Sequence, residues 1–127
     1  MANKKIMIID DDPDILSSIG QVLQSNGHTV ISIQDAGECF KRLKKGEKPH
    51  LIILDIMMPV MSGWEVQRKL DAHPEWCKIP IIFITGRKNE TVKEMGEKYG
   101  VDFIEKPFEI KDLEKRIDKV LKTRRNN

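Results

Sequence analysis

Polar side chains that could take part in catalysis or metal binding accompany four of the short apolar runs in this chain. They are Asp10 and Asp11 after the run 6–9, Asp55 after 51–54, Thr85 at the end of 79–85, and Lys106 just past 101–104. Taken alone, an aspartate such as Asp55 could equally be the cap of a following helix. Its chemistry therefore depends on whether the fold brings these side chains together.

If they meet, the carboxylates repel each other unless a proton or a cation lies among them. The candidate ligands are all oxygens, which indicates Mg²⁺ or Mn²⁺ rather than zinc. With the metal held by Asp11 and Asp55, and by Asp10 through water, Asp55 keeps one oxygen free to attack phosphorus. Lys106 would then supply a charge, and Thr85 a hydroxyl, to the phosphoryl oxygens.

The surrounding sequence alternates strand and helix patterns. Apolar runs without polar alternation indicate buried strands, and residues such as Asp12, Asp35 and Ser62 are placed to cap helices. The predicted strands are 6–9, 29–33, 51–54, 79–85 and 101–104, and the predicted helices are about 13–25, 36–45, 63–72, 89–99 and 109–122.

Such βα units predict an α/β fold, a three-layer (βα)5 sandwich with a parallel sheet and helices on both faces. Ligands of open α/β sheets bind outside the carboxyl ends of the strands. The aspartates, Thr85 and Lys106 are predicted to converge at this edge. The three histidines lie in helix-to-strand connections at the opposite end of the sheet, so we predict no ligand role for them. They are His28, His50 and His73.

Length and composition indicate one ordinary globular domain. The 127 residues fit a single core of about 5–122 with a tail of 123–127. The net charge of +2 comes from interleaved charges, so we expect neither nucleic acid nor membrane as a partner. Cys39 and Cys77 have no metal-ligand spacing, which favours a reducing, cytoplasmic setting.

In these motifs the chain resembles the receiver domain of two-component response regulators, in particular the single-domain type of the chemotaxis regulators. The family carries an acidic pair after strand one, Asp-x-x-Met-Pro after strand three, Thr or Ser after strand four, and Lys-Pro after strand five. The matching residues are Asp10-Asp11, Asp55-Ile56-Met57-Met58-Pro59, Thr85 and Lys106-Pro107. The match runs from residue 6 to about residue 121, and the four motifs in this order are highly specific.

The resemblance implies a flavodoxin-like sheet with strand order 2-1-3-4-5, an order that members of this family share with flavodoxin. It also implies a cis Lys106-Pro107 bond and roles for individual residues. Asp55 would be the phosphoacceptor, Lys106 and Thr85 would assist it, and Thr85 and Phe103 would form the switch pair. The metal ligands would be Asp10, Asp11, Asp55 and the backbone carbonyl of Met57.

A domain of this kind would accept phosphate on Asp55 from a sensor histidine kinase or a phosphotransfer protein. It would catalyse its own phosphorylation and dephosphorylation rather than turn over an external substrate. Its output would be altered binding of a downstream protein or output domain, through the face formed by the fourth helix, strand five and the last helix. It would be a stand-alone regulator or the receiver of a longer protein.

Other readings remain at this stage. A receiver-like interaction module could work without phosphorylation, although such a module would be expected to lack some of the acids or the lysine. A Mg²⁺-dependent phosphatase would want an acid two residues after Asp55, where Met57 stands. A flavodoxin-like cofactor protein is disfavoured, because the aspartates after strand one would repel the phosphate of FMN.

Overall fold

The computed structural model describes residues 3–86, 94 and 102–125. The predicted fourth helix, 89–99, lies outside the described residues except for Glu94. Within the described part of the chain, no helix is both long and apolar enough to cross a membrane.

Strands and helices alternate along the described chain. The strands are β1 (Lys5–Ile9), β2 (Thr29–Ile33), β3 (Leu51–Asp55), β4 (Ile81–Thr85) and β5 (Asp102–Glu105). The helices are α1 (Pro13–Ser25), α2 (Ala36–Lys44), α3 (Gly63–Asp71) and α4 (Ile110–Arg125), which we call the C-terminal helix, with a 3-10 helix at Trp76–Lys78.

The five strands form one parallel sheet in the order β2-β1-β3-β4-β5. This confirms both the α/β class and the strand order that the family resemblance implied. The order reverses direction between β1 and β3, and the carboxyl ends of these two neighbouring strands carry Asp10 and Asp55. A crevice at this reversal is where doubly wound sheets bind their ligands.

Apolar residues on the two faces of the sheet form two separate cores. On one face, Met7 and Leu54 pack with Leu43 of α2 and Val66 of α3. On the other face, Ile53 belongs to the core that includes side chains of α1 and the C-terminal helix. β1, β3 and β4 are almost wholly buried because both of their faces are covered, and this rigid support fixes the strand ends that carry the site.

The predicted helix caps are confirmed. Asp12 accepts a hydrogen bond from the backbone N–H of Asp14 at 2.9 Å, and Pro13 occupies the first turn of α1. Asp35 accepts from the N–H of Glu38 at 3.0 Å at the start of α2. Ser62 and Glu65 cap α3 reciprocally. Asp12 therefore serves as the cap of α1, as its position before Pro13 predicted.

Some predicted boundaries were wrong. β4 begins at Ile81 rather than at residue 79, because Ile79 closes a 3-10 turn onto Trp76 and Pro80 has no N–H to donate to the sheet. The 3-10 helix itself was not predicted. The C-terminal helix continues to Arg125, beyond the expected end near residue 122.

Two of the histidines accept backbone hydrogen bonds at the amino end of the sheet, away from the candidate site. The Nδ1 atom of His28 accepts a hydrogen bond from the N–H of Lys4 at 3.3 Å. The Nδ1 atom of His50 accepts from the N–H of Lys5 at 2.9 Å. An imidazole accepts at Nδ1 only while that nitrogen carries no proton. Both histidines lie in helix-to-strand connections, as predicted, and there they accept hydrogen bonds from the backbone of β1 and the residue before it.

Acidification should consequently weaken the fold through His50. Limited desolvation of this largely exposed side chain, followed by the charges of Lys4 and Lys5, lowers the pKa of His50 from its ordinary value. The unfolded chain then takes up a proton near about pH 6.5 while the folded chain resists it, so this contribution to stability is complete above that pH and is lost as the pH falls. We expect the melting temperature of the wild type to decrease more between about pH 7.5 and about pH 5.5 than that of His50→Asn.

Asparagine is a suitable replacement because its Oδ1 can accept the hydrogen bond from Lys5 without titrating. The comparison of the two proteins is also needed because the pKa of Asp55 is raised. Acidification over the same pH range therefore stabilises the fold through Asp55, whereas it destabilises the fold through His50. Equal pH dependence of the wild type and His50→Asn would show that His50 contributes nothing.

Candidate functional site

The carboxyl ends of the strands bring the predicted acids together. Carboxylate oxygens of Asp10, Asp11 and Asp55 lie within 4.8 Å of one another. Asp10 and Asp55 are buried, with exposed fractions of 0% and 2%, whereas Asp11 is exposed. The cluster therefore has two acids embedded in the protein and a third at its opening.

Backbone hydrogen bonds fix the two buried acids. The N–H of Asp10 donates to the carbonyl of Ile33 at 3.1 Å, so Asp10 remains aligned with the adjacent strand. The Oδ1 atom of Asp10 accepts from the N–H of Asp12 at 2.9 Å. The Oδ1 atom of Asp55 accepts from the N–H of Met57 at 3.2 Å. Each carboxylate thus has one oxygen held by the backbone.

Lys106 provides the positive charge of the cluster. Its Nζ atom donates to Asp10 Oδ2 at 2.9 Å and lies 3.8 Å from Asp55 Oδ1. The backbone N–H of Lys106 donates to the carbonyl of Thr85 at 2.7 Å, which ties the end of β5 to the end of β4. The peptide bond between Lys106 and Pro107 is cis, as the resemblance implied. Sequence reasoning placed Lys106 near a phosphoryl group but did not foresee its pairing with Asp10.

The electrostatics of the cluster favour an additional cation. Burial is the main reason that the pKa of Asp55 rises to about 7, and the neighbouring charge of Asp10 adds to the rise. Lys106 and the hydrogen bond from Met57 oppose it without cancelling it. Burial alone would lower the pKa of Lys106, but its hydrogen bond to Asp10 and the nearby carboxylates raise that pKa. Lys106 therefore stays charged and compensates only part of the negative charge.

The donor set fits a small divalent cation. When all three carboxylates are ionised, they and the one ammonium group carry a net charge of two negative units within a few ångströms. The ligands are hard oxygens from Asp10, Asp11 and Asp55, the kind that Mg²⁺ and Mn²⁺ prefer. The N–H of Met57 donates to Asp55. The role of the Met57 backbone carbonyl as a metal ligand remains a prediction.

Thr85 and Phe103 lie on the two strands next to the acids. Thr85 ends β4 and is fully buried. Phe103 is half-buried on β5, where it pairs with Phe83 and packs against the core under α2 and α3. The fold thus places both residues on the adjacent strands β4 and β5, and their role as a switch pair remains a prediction.

The loop from 56 to 62 leads from Asp55 into α3, and the first residue of α3 must be a glycine. The N–H of Gly63 donates to the carbonyl of Ile56 at 2.9 Å. A Cβ atom on Gly63 would lie 2.6 Å from the carbonyl oxygen of Asp55 and 2.8 Å from Cα of Ile56. Gly63 therefore lets α3 approach the backbone that carries Asp55. The sequence indicated a turn at Gly63 but not this close approach.

This geometry agrees with the comparison to known proteins. A family model described as the response regulator receiver domain matches residues 6–118. The chain belongs to this family. The receiver domain is 33% identical over 118 residues to the protein PilH of Pseudomonas aeruginosa, an alignment that covers 92% of the chain and 97% of PilH.

A longer relative matches in its receiver part. The receiver domain is 33% identical over 121 residues to the alkaline phosphatase synthesis transcriptional regulatory protein PhoP of Bacillus subtilis. That alignment covers 94% of the chain but 49% of PhoP, so the chain spans about half the length of that relative.

Solved structures share the fold over nearly the full chain. The chemotaxis protein CheY4 of Vibrio cholerae superimposes with a TM-score of 0.85 at 28% identity, covering 94% of the chain and 99% of CheY4. A CheY-like receiver domain protein from Methanospirillum hungatei superimposes with a TM-score of 0.87 at 29% identity, covering 98% of both chains. The receiver domain is thus CheY-like, with a flavodoxin-type architecture.

Proposed function

We propose that this receiver domain accepts a phosphoryl group on Asp55 from a histidine kinase or a phosphotransfer protein, and that the reaction depends on Mg²⁺. The observation that carries the proposal is the position of the Asp55 carboxylate. It is buried, it adjoins the carboxylates of Asp10 and Asp11, and Lys106 Nζ lies 3.8 Å from its Oδ1. A carboxylate nucleophile beside a cation site is suited to forming an aspartyl phosphate.

In the proposed transfer, a carboxylate oxygen of Asp55 forms a bond to phosphorus as the bond from phosphorus to the donor's imidazole nitrogen breaks. The electron pair of the broken bond stays on that nitrogen. The N–H of Met57 holds Asp55 Oδ1 at 3.2 Å and so orients the carboxylate for in-line attack. The ammonium group of Lys106 stabilises charge on the phosphoryl oxygens, and the hydroxyl of Thr85 donates to another of them.

Asp10, Asp11 and Asp55 would hold the metal, together with the backbone carbonyl of Met57. When bound, Mg²⁺ supplies charge neutralisation for the transferring phosphoryl group. The negative charge of the cluster and its all-oxygen donor set support this assignment.

The proposed output is a change in partner binding. A phosphoryl group at Asp55 adds charge at the sheet edge, and Thr85 moving toward it makes room for Phe103 to turn inward. Phe103 has no hydroxyl, so this switch would act by packing. The responding face comprises β5, the C-terminal helix and the predicted fourth helix, and its target is a downstream protein or an output domain rather than nucleic acid or membrane.

We assign the domain to the cytoplasm. Cys39 and Cys77 are free thiols. Burial raises the pKa of Cys39 to about 12, which keeps this thiol protonated and unreactive. Free cysteines with no disulfide partner suit a reducing compartment.

Phosphorylation is tested with phosphoramidate and Mg²⁺, followed by intact mass spectrometry. We expect the wild type to gain the mass of one phosphoryl group, and we expect no gain with EDTA or in Asp55→Asn. Asp118→Asn, a change of an exposed acid on the C-terminal helix, serves as the control and should gain the same mass as the wild type.

An unmodified wild type would contradict the proposal and would favour a module that binds its partner without phosphorylation. A gain that persists in Asp55→Asn would assign the acceptor to another residue.

A further inference from the structure

The loop from 56 to 62 presents apolar side chains to solvent beside the candidate phosphoacceptor. Among the described residues, the large apolar side chains that are exposed are Val60, which is fully exposed, and Met57, which is 60% exposed. Single exposed apolar residues are common on protein surfaces. Here, however, both lie within five residues of Asp55 in one loop.

Val60 also has an unfavourable backbone conformation. Its φ angle is 69°, and among the described residues it is the non-glycine residue with a positive φ. The other positive values given for the described chain belong to Gly27 and Gly46. A β-branched side chain in the left-handed region is strained, and asparagine or glycine would be strained less. Because Val60 is fully exposed, packing within the chain does not offset this strain.

The loop holds Val60 firmly in place. The N–H of Met61 donates to the carbonyl of Pro59 at 2.7 Å, which closes the turn around Val60. The N–H of Met58 donates to the carbonyl of Ile56 at 3.2 Å, and Met58 and Met61 pack against the core below. The backbone that carries the exposed side chain is therefore held in one conformation, which lowers the entropy that binding would cost.

Any protein that phosphorylates Asp55 must cover this loop. The side chain of Asp55 is 3% exposed, so a donor histidine can reach its carboxylate only when the donor's surface closes over the rim of the site. Asp11 and Asp12 make the β1 side of that rim acidic, whereas Met57 and Val60 make the β3 side apolar. The apolar side is the part of the rim that offers contact area without the cost of desolvating a charge.

We infer that Val60 is a docking contact for the protein phosphodonor and packs on apolar residues around the donor's phosphorylated histidine. The inference rests on the proposed function and adds to it the part of the surface that recognises the donor. Small phosphodonors need no such surface, so the two kinds of donor separate docking from chemistry.

The test compares transfer to the wild type, Val60→Asn and Val60→Leu. The protein donor is the histidine phosphotransfer domain, phosphorylated on histidine, that reacts fastest with the wild type among a purified panel, and the small donor is phosphoramidate with Mg²⁺. Val60→Asn suits the left-handed backbone but removes the apolar surface, and Val60→Leu restores it.

We expect transfer from the protein donor to fall by about tenfold or more in Val60→Asn and to recover in Val60→Leu. Phosphorylation by phosphoramidate should stay within about twofold of wild type in both variants, because neither change touches the acids or Lys106. Denaturant unfolding should show Val60→Asn to be at least as stable as wild type.

Equal transfer from the protein donor to the wild type and Val60→Asn would overturn the docking role while leaving the proposed function intact. So would a panel that phosphorylates no wild-type protein although phosphoramidate does. Failure of phosphoramidate with the wild type would instead refute the proposed function. Parallel losses with both donors would assign Val60 to the integrity of the site rather than to docking.

Discussion

Replacing Lys106 by methionine is expected to tighten Mg²⁺ binding by about tenfold or more and to slow phosphorylation of the receiver by about a hundredfold. The two effects have opposite directions because the ammonium group has two roles. Its Nζ atom is 2.9 Å from Asp10 and 3.8 Å from Asp55, the carboxylates that would bind the metal. During transfer, the same charge would stabilise the phosphoryl oxygens.

The magnitude follows from the distances. Two unit charges about 4 Å apart interact by about 4 kcal/mol at an effective dielectric constant of about 20. Lys106 is 22% exposed, so solvent screens part of this repulsion between the ammonium group and a bound cation. About tenfold in affinity, which corresponds to about 1.4 kcal/mol, is therefore a lower bound. Loss of a single donor to a developing charge costs about a hundredfold or more in rate.

Titration calorimetry with Mg²⁺ and the rate of mass gain with phosphoramidate measure the two effects. Lys115→Met is the matched control, because Lys115 is an exposed lysine on the C-terminal helix and its loss changes the net charge equally. Mg²⁺ affinity that is unchanged, or weaker, in Lys106→Met would contradict the assignment of Asp10 and Asp55 to the metal.

Replacing Gly63 by alanine is expected to destabilise the fold by about 3 kcal/mol and to weaken Mg²⁺ binding. The added Cβ atom would lie 2.6 Å from the carbonyl oxygen of Asp55 and 2.8 Å from Cα of Ile56. Both are backbone atoms, so they cannot rotate away as a flexible side chain could. Relief of the clash requires α3 to move from the loop or the Asp55 backbone to shift, and the second change would displace a proposed metal ligand.

Gly20→Ala provides the matched control on α1. There the new Cβ atom would meet Val30 Cγ1 at 3.7 Å and Ser32 Oγ at 3.9 Å, which are ordinary contact distances. Alanine in the interior of a helix is favoured over glycine, so this variant should gain about 1 kcal/mol. Denaturant unfolding monitored by tryptophan fluorescence measures both changes. A Gly63→Ala protein as stable as the wild type would show that the close approach is relieved at no cost.

Most of the site could be predicted because its information is local in sequence. Each candidate residue follows an apolar run that is long enough for one buried strand, and parallel strands bring their carboxyl ends to one edge. The meeting of Asp10, Asp11 and Asp55 therefore required only the fold class. The caps Asp12 and Ser62 were predictable for the same reason, since capping acts within one helical turn.

The remaining features depend on distances between segments that are far apart in sequence. Pairing of Lys106 with Asp10 joins residues 96 positions apart and is set by how β5 lies relative to β1. The requirement for glycine at 63 comes from the approach of α3 to β3, and no local pattern reports it. The positive φ of Val60 contradicts the local preference of a β-branched residue, so propensity alone would have excluded it.

The most direct test of the central claim is to locate the phosphoryl group on the chain. Borohydride reduces an aspartyl phosphate to homoserine, which marks the acceptor permanently for peptide mass spectrometry. After treatment of the wild type with phosphoramidate and Mg²⁺, we expect homoserine at position 55 and aspartate at positions 10 and 11. Homoserine at another acid, or phosphate retained on His28, His50 or His73 with Asp55 unmodified, would contradict the account.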